Sequence, residues 1–450
     1  MRILPLLAMS TLAFAAVLTA PRPARACGGC FSPPDNPTVV TDHRMVLTIS
    51  QQQTTLYDQI EYSGAPASFA WVLPIQGVAT VGLSADLVFD TLDTLTHTTV
   101  YAPPRSCPPP PDNCATFGAG AAVDASASFD SGVQVLKQQV VGPYETFQLQ
   151  STDPTALDTW LTSHGFDIPA DVQPVIDAYV SEGFDFLAMK LVPGASVQSM
   201  RPVRVTTQGA SPVLPLRMVA AGTGSTVGIT LWVLGDGRYE PQNFPSFRIQ
   251  DSEIVWDWTT SSSNYATLRQ QKEAASNYRA WELESALQID PAYFDQIVKN
   301  GGYAYTPYGY DAGADYQPVD STDASAGESA SQVRDDDLAT LFFGQSTSVH
   351  VTRMRSDIAR AALSADLGLQ ASADQSDLTN QRYPTATTGT YTCPSYGSCG
   401  GPNNPPVSAY GGGCDVAKEA PSGNELLLGL AGAIGMIGWG FVRRRRPRRA

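Results

Sequence analysis

The chain has 450 residues, of which 43% are hydrophobic and 16% are charged, and its formal net charge is −15 at pH 7. This length allows one large domain or two smaller ones, and the apolar share is sufficient for a packed core. The acidic balance argues against nucleic acid and anionic lipid headgroups as partners, because both repel a negatively charged surface.

The first 26 residues have the three parts of a secretory signal peptide. Arg2 supplies the positive start, residues 3–20 form an apolar run rich in Leu and Ala, and an A-x-A cleavage pattern ends at Ala26. We therefore predict cleavage between Ala26 and Cys27. Lipidation of Cys27 is a weaker alternative, because the residues before it fit a lipid-attachment motif poorly.

Alternating apolar residues and turn signals predict a β-meander near the start of the body. Its three strands cover residues 39–50, 54–62 and 68–75. Ser84 is expected to cap a helix over residues 85–96, whose apolar side chains recur at helical spacing.

A hairpin and two short helices follow a Pro-rich loop. The hairpin pairs residues 133–141 with residues 144–149 around a Gly-Pro turn. Each helix opens with a proline at its first turn, and the two are predicted to end near His164 and Ser181.

A second strand-rich block is predicted to run from residue 184 to residue 258. Its predicted strands are 186–192, 200–206, 214–220 and 227–234. The glycine-rich stretch 222–228 resembles a dinucleotide loop, but we predict a hairpin turn because its flanks are strand-like.

The last part of the body is predicted to combine one helix with closing strands. Residues 264–280 predict a helix, and residues 281–287 fit either its continuation or a strand. Residues 349–355 and 363–370 predict strands that close the body.

The overall pattern predicts a mixed α+β fold, with a strand-rich body of antiparallel meanders, sandwich-like, and a few packed helices. The body is expected over residues 27–370, with a division into two subdomains near 27–150 and 184–370 as an alternative. A Ser/Thr/Pro/Gly-rich stalk is expected over residues 371–423. One transmembrane helix and an Arg-rich cytoplasmic end are expected over residues 424–450.

The C-terminal tail combines a Gly-flanked Cys414, a polar spacer and an apolar run over residues 426–442. As a helix at about 1.5 Å per residue, this run reaches roughly 25 Å, the short end of a membrane span. Cationic side chains follow directly and favour an orientation with the body outside the cytoplasm. They are Arg443, Arg444, Arg445 and Arg446.

This combination resembles the MYXO-CTERM sorting tails of myxobacteria and their relatives. The resemblance implies that a membrane protease removes the helix and that Cys414 carries the final attachment to the cell surface. An ordinary single-pass tail, with the body outside the cytoplasm, is the alternative.

Six cysteines remain once Cys414 is assigned to sorting, and they group as sequence neighbours. In an oxidising compartment such neighbours are expected to form disulfides, with a zinc site as the weaker alternative. The candidate pairs are Cys27 with Cys30, Cys107 with Cys114, and Cys393 with Cys399. A thiol–disulfide exchanger using Cys27 and Cys30 is a weak alternative, because the prolines after them prevent a helix from starting there.

The sequence has no recognisable catalytic or metal-binding motif. The four histidines lie far apart, and neither a G-x-S-x-G elbow nor a phosphate-binding loop is present. The one candidate for a cofactor site is a Ca²⁺ loop, and its carboxylates match no known spacing. Its residues would be Asp311, Asp315, Asp320 and Asp323.

Two further groups of residues have structural interpretations. Asp335, Asp336 and Asp337 are predicted at the N-terminus of a helix that begins at Leu338. Strand-type tryptophans are predicted to be core rather than a sugar-binding platform. They are Trp71, Trp232, Trp256 and Trp258.

Several short segments make the body resemble a bacterial family known as domain of unknown function 2330. The resemblance implies an exported, mixed α/β domain without an assigned activity or agreed catalytic residues. The segments are 26–31 (ACGGCF), 40–45 (VTDHRM), 69–74 (FAWVLP), 215–218 (PLRM) and 230–235 (TLWVLG).

Taken together, these features predict an exported, surface-anchored protein with a non-enzymatic binding or envelope role. We expect contact with the membrane through the C-terminal helix or the processed Cys414, no resident cofactor, and a ligand that the sequence does not identify. The alternative is a secreted hydrolase that acts through a pair of carboxylates, for example on glycans.

Overall fold

A computed structural model places the body of the chain, and the signal-like and sorting segments lie outside what it describes. The described residues are 30–31, 39–63, 70–106, 139–150, 163, 172–193, 195, 200–220, 223–300, 316, 328–344 and 347–393. The chain divides into two units, one formed by residues 1–103 and 127–389 and the other by residues 104–126 and 390–450.

All of the helices and strands described here belong to the first unit. The α-helices are α1 (Asp86–Thr96), α2 (Gln173–Ser181), α3 (Tyr265–Ala275), α4 (Pro291–Lys299) and α5 (Ala330–Leu341). The strands are β1 (Cys30–Phe31), β2 (Val39–Ile49), β3 (Gln53–Ser63), β4 (Ala70–Ile75), β5 (Ala79–Leu83), β6 (Thr99–Val100), β7 (Gln139–Val141), β8 (Tyr144–Leu149), β9 (Asp185–Leu191), β10 (Val203–Gln208), β11 (Val213–Leu214), β12 (Thr223–Gly235), β13 (Tyr239–Pro241), β14 (Ser246–Phe247), β15 (Val255–Asp257), β16 (Ser262–Ser263), β17 (Trp281–Ile289), β18 (Val349–Ala359), β19 (Leu367–Ala371), β20 (Gln381–Arg382) and β21 (Ala386–Thr388).

An eight-stranded mixed sheet forms the centre, in the order β14-β17-β18-β12-β2-β3-β10-β5. Strand β12 pairs in parallel with β2 and antiparallel with β18. Its residues Leu231, Trp232 and Val233 are all fully buried, so both faces of the strand are covered. Double burial explains why this strand is a continuous apolar run instead of an alternating one.

A five-stranded sheet in the order β1-β4-β9-β8-β7 packs against the central sheet. Side chains on one of its faces, such as Trp71 and Leu187, belong to the same core cluster as the central sheet. Side chains on the other face, such as Val72 and Phe186, form a separate cluster with α2. The arrangement agrees with the predicted α+β body, in which two sheets are packed face to face and helices cover them.

The predicted meander is wrong in its third strand. Strands β2 and β3 pair antiparallel as expected, but β4 leaves that sheet and pairs with β9. Strands from both predicted subdomains interleave in the central sheet, because β2, β3 and β5 lie beside β10, β12, β17 and β18. The central sheet is therefore built from strands of both predicted subdomains.

Two predicted helix starts are corrected. Helix α1 begins at Asp86, and Ser84 does not cap it but donates its hydroxyl to Asp337. Helix α5 begins at Ala330 behind a capping box of Ser329 and Gln332, so Asp337 lies in its interior. The acidic run had suggested a later start because carboxylates favour a first helical turn.

Three assignments in the second block also change. Residues 217–220 form a 3-10 helix in place of a strand end, and residues 223–228 belong to β12 in place of a hairpin turn. The ambiguous segment after α3 is a strand, β17, which pairs with β18. Pairing with a buried partner strand decides what the local pattern left open.

The beginning of the predicted stalk packs as part of the first unit. Strand β20 pairs in parallel with β6, and β21 pairs in parallel with β15. Leu378 and Arg382 are only 3% exposed. Residues 371–389 therefore contribute to the core, although their composition is typical of a linker.

Within the described ranges, the helices are all too short or too polar to cross a bilayer. Residues 424–450, where the transmembrane helix is predicted, lie outside those ranges.

Candidate functional site

Three of the family-like segments converge between the two sheets. His43 and Met45 from β2, Trp71 from β4 and Met218 from the 3-10 helix line one cavity of about 20 Å³. Val72 of β4 and Met218 of the 3-10 helix belong to one core cluster, so these two segments are packed together. We call this place the His43 site.

A buried histidine–carboxylate pair lies at the His43 site. His43 Nδ1 is 3.1 Å from Asp58 Oδ1, and the two residues are 1% and 3% exposed. Asp58 pairs across the ladder with Met45, so His43 is its diagonal neighbour on the same face. Burial of both partners makes the pair a fixed structural element, since separating them would leave a polar group unsatisfied.

Asp58 also lines a second cavity of about 50 Å³. Gln59, Asp86, Tyr144 and Arg201 contribute to its polar lining. Burial lowers the pKa of the Arg201 guanidinium, although the negative charge of Asp337 opposes that shift. The cavity therefore faces groups of both charge signs.

The size of these cavities limits what they can hold. A cavity of this volume has room for water, whereas pockets for small-molecule ligands are roughly 300–1,000 Å³. A histidine oriented by a carboxylate is the arrangement of a general base. Around the smaller cavity, however, the lining is apolar apart from His43 and Asp58, so the pair faces hydrocarbon.

Arg217 of the PLRM segment ties α2 to the loop before β19. Its guanidinium donates to Glu182 at 2.7 and 2.6 Å and to Asp366 at 2.8 Å. The same group lies 4.0 Å from the ring centre of Tyr179, whose hydroxyl donates to Asp366. Hydrogen bonding from Arg217 holds the pKa of Glu182 below its usual value. Arg217 thus serves as a cross-link.

A second buried network surrounds Arg353 at the end of α1. The guanidinium donates to Glu284 and, at 2.6 Å, to Asp93, and it lies 5.1 Å from the ring centre of Trp232. Glu284 lies at a register shift between β17 and β18, where two residues of β17 oppose one residue of β18. The bulge places this carboxylate on the guanidinium and closes the ion pair inside the body.

Asp337 is the third buried charge centre. It accepts from Arg204 at 3.3 Å, from Ser84 at 2.7 Å and from Tyr316 at 3.0 Å. Burial raises the pKa of Asp337, and Arg204 opposes that shift. Tyr57 donates to the Asp337 main-chain oxygen at 3.0 Å, so the residue joins α5 to the central sheet.

Glu282, like Glu273, is a buried acid whose own pairing is incomplete among the described residues. Burial raises the pKa of Glu282 to about 7, and the negative charge of Glu284 adds to the shift. Tyr265 donates a hydrogen bond to one oxygen of Glu282, but the other oxygen has no partner within the described part of the chain. Burial also raises the pKa of Glu273 to about 7, so both carboxylates can be protonated near neutral pH.

The structure places few of the residues that the sequence had singled out. Cys30 lies in β1, where its backbone pairs with Trp71, and Cys393 Sγ lies 3.9 Å from the Ser106 carbonyl oxygen. The remaining candidates lie outside the described residues: Ala26, Cys27, Cys107, Cys114, Cys399, Cys414, Arg443, Arg444, Arg445, Arg446, Asp311, Asp315, Asp320 and Asp323. The disulfide pairs therefore stay predictions.

The prediction that the tryptophans are core is confirmed for Trp71, Trp232 and Trp258, which are at most 7% exposed. Trp256 is half-buried and packs edge-to-face on Trp258. The buried ion pairs were missed, because a lone Arg or Glu in a strand gives no signal of its partner. Only the unusual charged residues inside apolar strands such as 281–289 could have indicated them.

Most of the chain matches one family model. The model of a family described as an uncharacterized protein conserved in bacteria (DUF2330) matches residues 21–366. The chain belongs to the DUF2330 family. The match spans the His43 site and the Arg217 and Arg353 networks of this chain.

The other comparisons add little to the DUF2330 assignment. No curated protein matches the sequence. The crystal structure of baculovirus P35 is similar with a TM-score of 0.27 and 11% sequence identity, over 74% of this chain and 97% of that one.

Proposed function

We propose that this DUF2330 protein is exported and held at the cell surface, where its body has a binding or envelope role. The observation that carries the proposal is the pair of terminal segments around one folded body. A signal-like segment ends at Ala26, and a Gly-flanked Cys414 precedes an apolar run and an arginine block.

The internal chemistry of the body supports a binding role over catalysis. Arg353, Arg204 and Arg217 each contact a carboxylate inside the body. Buried pairs of this kind hold elements together, and removing one partner leaves the other charge uncompensated. These charged groups are therefore occupied in maintaining the fold.

An exposed aromatic pair is the best candidate for the contact surface. Tyr101 and Tyr383 are 43% and 53% exposed, and their rings stack with centres 5.4 Å apart. They follow the parallel pair β6 and β20, which fixes them side by side. Tyrosine is enriched at protein interfaces because its ring is apolar and its hydroxyl polar.

Sedimentation with isolated cell envelopes of the producing bacterium tests the surface role. We expect the purified body to co-sediment, and a Tyr101→Ser, Tyr383→Ser double variant to bind at least tenfold more weakly. Tyr293→Ser is the matched control, because Tyr293 is 46% exposed on α4 and does not belong to the stacked pair. Equal binding by wild type and double variant would count against the proposed surface.

The sorting tail is tested by Cys414→Ala. If Cys414 carries the final attachment, the variant should accumulate unprocessed in the inner membrane. Equal surface display of wild type and variant would contradict this role.

The carboxylate-dependent hydrolase has one observation in its favour. The pKa of Glu282, at about 7, is in the range that suits a general acid. Both Glu282 and Glu284 are nevertheless buried, at 0% and 3% exposure, and Glu284 is bonded to Arg353. If the purified protein hydrolyses glycans and the Glu282→Gln variant does not, the hydrolase replaces the binding role as the proposed function.

A further inference from the structure

Three arginines lie around the segment that joins β19 to β20. Arg238 donates to Asp374 at 3.3 Å at one end of this segment. Arg382, at the other end, donates to the Thr379 carbonyl and, at 2.7 Å, to the Glu284 carbonyl of β17. Both side chains therefore contact residues of this segment.

The third arginine, Arg248, directly follows strand β14. Phe247 at the end of β14 pairs with Glu282 of β17, and Arg248 is the next residue. Because β14 and β17 run parallel, the residue after Phe247 lies near the residues after Glu282. Arg248 is therefore placed toward Glu284, whose carbonyl oxygen accepts a hydrogen bond from Arg382. We call Arg238, Arg248 and Arg382 the arginine cluster.

The donors of the arginine cluster are only partly used. Arg238 and Arg382 are 4% and 3% exposed, and Arg248 is half-buried. In each of the three, the Nε atom is buried and has no hydrogen-bond partner among the residues that the structure describes. A buried guanidinium donor without an acceptor is costly, so the cluster favours an added acceptor.

The cluster brings three cations together in an acidic chain, and the carboxylates that act on them are Asp374, Asp251 and Glu282. Asp374 gives one oxygen to Arg238 and the other to Ser376. Asp251 is the second carboxylate that acts on Arg248. Burial lowers the pKa of Arg248, and repulsion by Arg238 and Arg382 lowers it further, which agrees with three cations at close quarters.

We propose that the arginine cluster is a binding site for a doubly charged oxyanion of the phosphate or sulfate class. Guanidinium groups match the oxygens of such anions with parallel, charge-assisted hydrogen bonds. One dianion would satisfy the unpaired donors and offset the mutual repulsion of the three cations. The site does not depend on export, and it lies on other residues than the Tyr101–Tyr383 pair.

Calorimetric titration with inorganic phosphate in a chloride buffer of constant ionic strength tests the site. Wild type should bind one phosphate with a saturable heat, and Arg248→Gln should bind at least tenfold more weakly. Arg248 is the residue to change, because the Arg238 side chain is bonded to Asp374 and the Arg382 side chain to backbone carbonyl oxygens. Arg279→Gln is the matched control, since Arg279 is exposed and stacks on Phe244.

A parallel titration with glucose 1-phosphate separates a free anion from a phosphate carried by a sugar. The site is supported if wild type binds either probe saturably and the Arg248→Gln substitution weakens that binding. Absence of saturable binding to wild type, or equal affinity of wild type and Arg248→Gln, overturns it. Unchanged unfolding midpoints of both variants in chloride show that the protein remains folded during the comparison.

Discussion

At the residue scale, the body depends on charges placed inside apolar layers. Arg204, Arg217 and Arg353 each link elements that are distant in sequence, and each contacts at least one buried or half-buried carboxylate. The sequence identifies the apolar residues that form the core, because their periodicity is local. It does not identify the partner of a buried charge, because that partner is fixed by strand pairing across the whole chain.

Glu282→Gln should change the pH dependence of stability. The pKa of Glu282 is about 7 in the fold and about 4.5 when unfolded, so the fold favours its protonated form. Its stabilising contribution is therefore complete below the unfolded pKa and is lost as the pH rises through about 7. Gln cannot ionise, so we expect the variant to exceed wild type in unfolding free energy by about 2 kcal/mol near pH 8 and to match it near pH 4.

Urea unfolding at both pH values measures this effect, with Glu253→Gln as the opposite control. The Gln250 backbone N–H and Lys272 lower the pKa of Glu253, so ionised Glu253 stabilises the fold above its unfolded pKa. That control should be less stable than wild type near neutral pH. A Glu282→Gln variant that is no more stable than wild type in alkali would contradict the assigned burial cost.

Glu284→Ala should destabilise the fold through Arg353. The guanidinium would lose its buried partner, and breaking such a pair costs about 3 kcal/mol. Asp93→Asn removes the other contact, but the Asp93 side chain is 43% exposed, so its loss should be under about 1 kcal/mol. Chemical denaturation of both variants compares the two, and equal losses would contradict the buried network.

At the element scale, pairing decides what local patterns cannot. The strands over 39–49 and 53–63 and the second half of β12 have apolar patterns that predict them well. The partner of β4 lies more than 100 residues later in sequence, in β9, and no turn signal connects them. Segment 371–389 was predicted as stalk because its composition is polar, yet Leu378 from this segment lies in the core.

Leu378→Ala distinguishes a packed segment from a stalk. Leu378 is 3% exposed, and its backbone bonds with Ala286 of β17. Truncation should lower the unfolding free energy by about 2–4 kcal/mol. Val213→Ala, at a side chain that is 42% exposed, should change it by less than about 1 kcal/mol. A stalk residue would show no loss in urea unfolding.

At the scale of the whole molecule, covalent and terminal features complete the account. In the second unit, Tyr391 accepts a hydrogen bond from the Ser106 backbone N–H at 2.9 Å, and Cys393 Sγ lies 3.9 Å from the Ser106 carbonyl. Ser106 precedes Cys107 in the chain. The local pairs expected from spacing therefore have a competitor that spans most of the sequence.

Peptide mapping without reduction should find Cys107 linked to Cys393. The observation behind this expectation is the contact of Cys393 with Ser106, the residue before Cys107, and the neighbour pairs Cys107–Cys114 and Cys393–Cys399 are the alternatives. A Cys393→Ser variant should then leave Cys107 reactive toward a thiol reagent in the folded protein. Recovery of the two neighbour pairs would contradict the long-range link.

Export itself is the central claim, and the intact mass of the chain in fractionated cells tests it most directly. We predict a mature form that begins at Cys27, lacks the terminal arginine block and is found in the envelope fraction, with its cysteines oxidised. A full-length chain of 450 residues with free thiols in the cytosolic fraction would contradict the account.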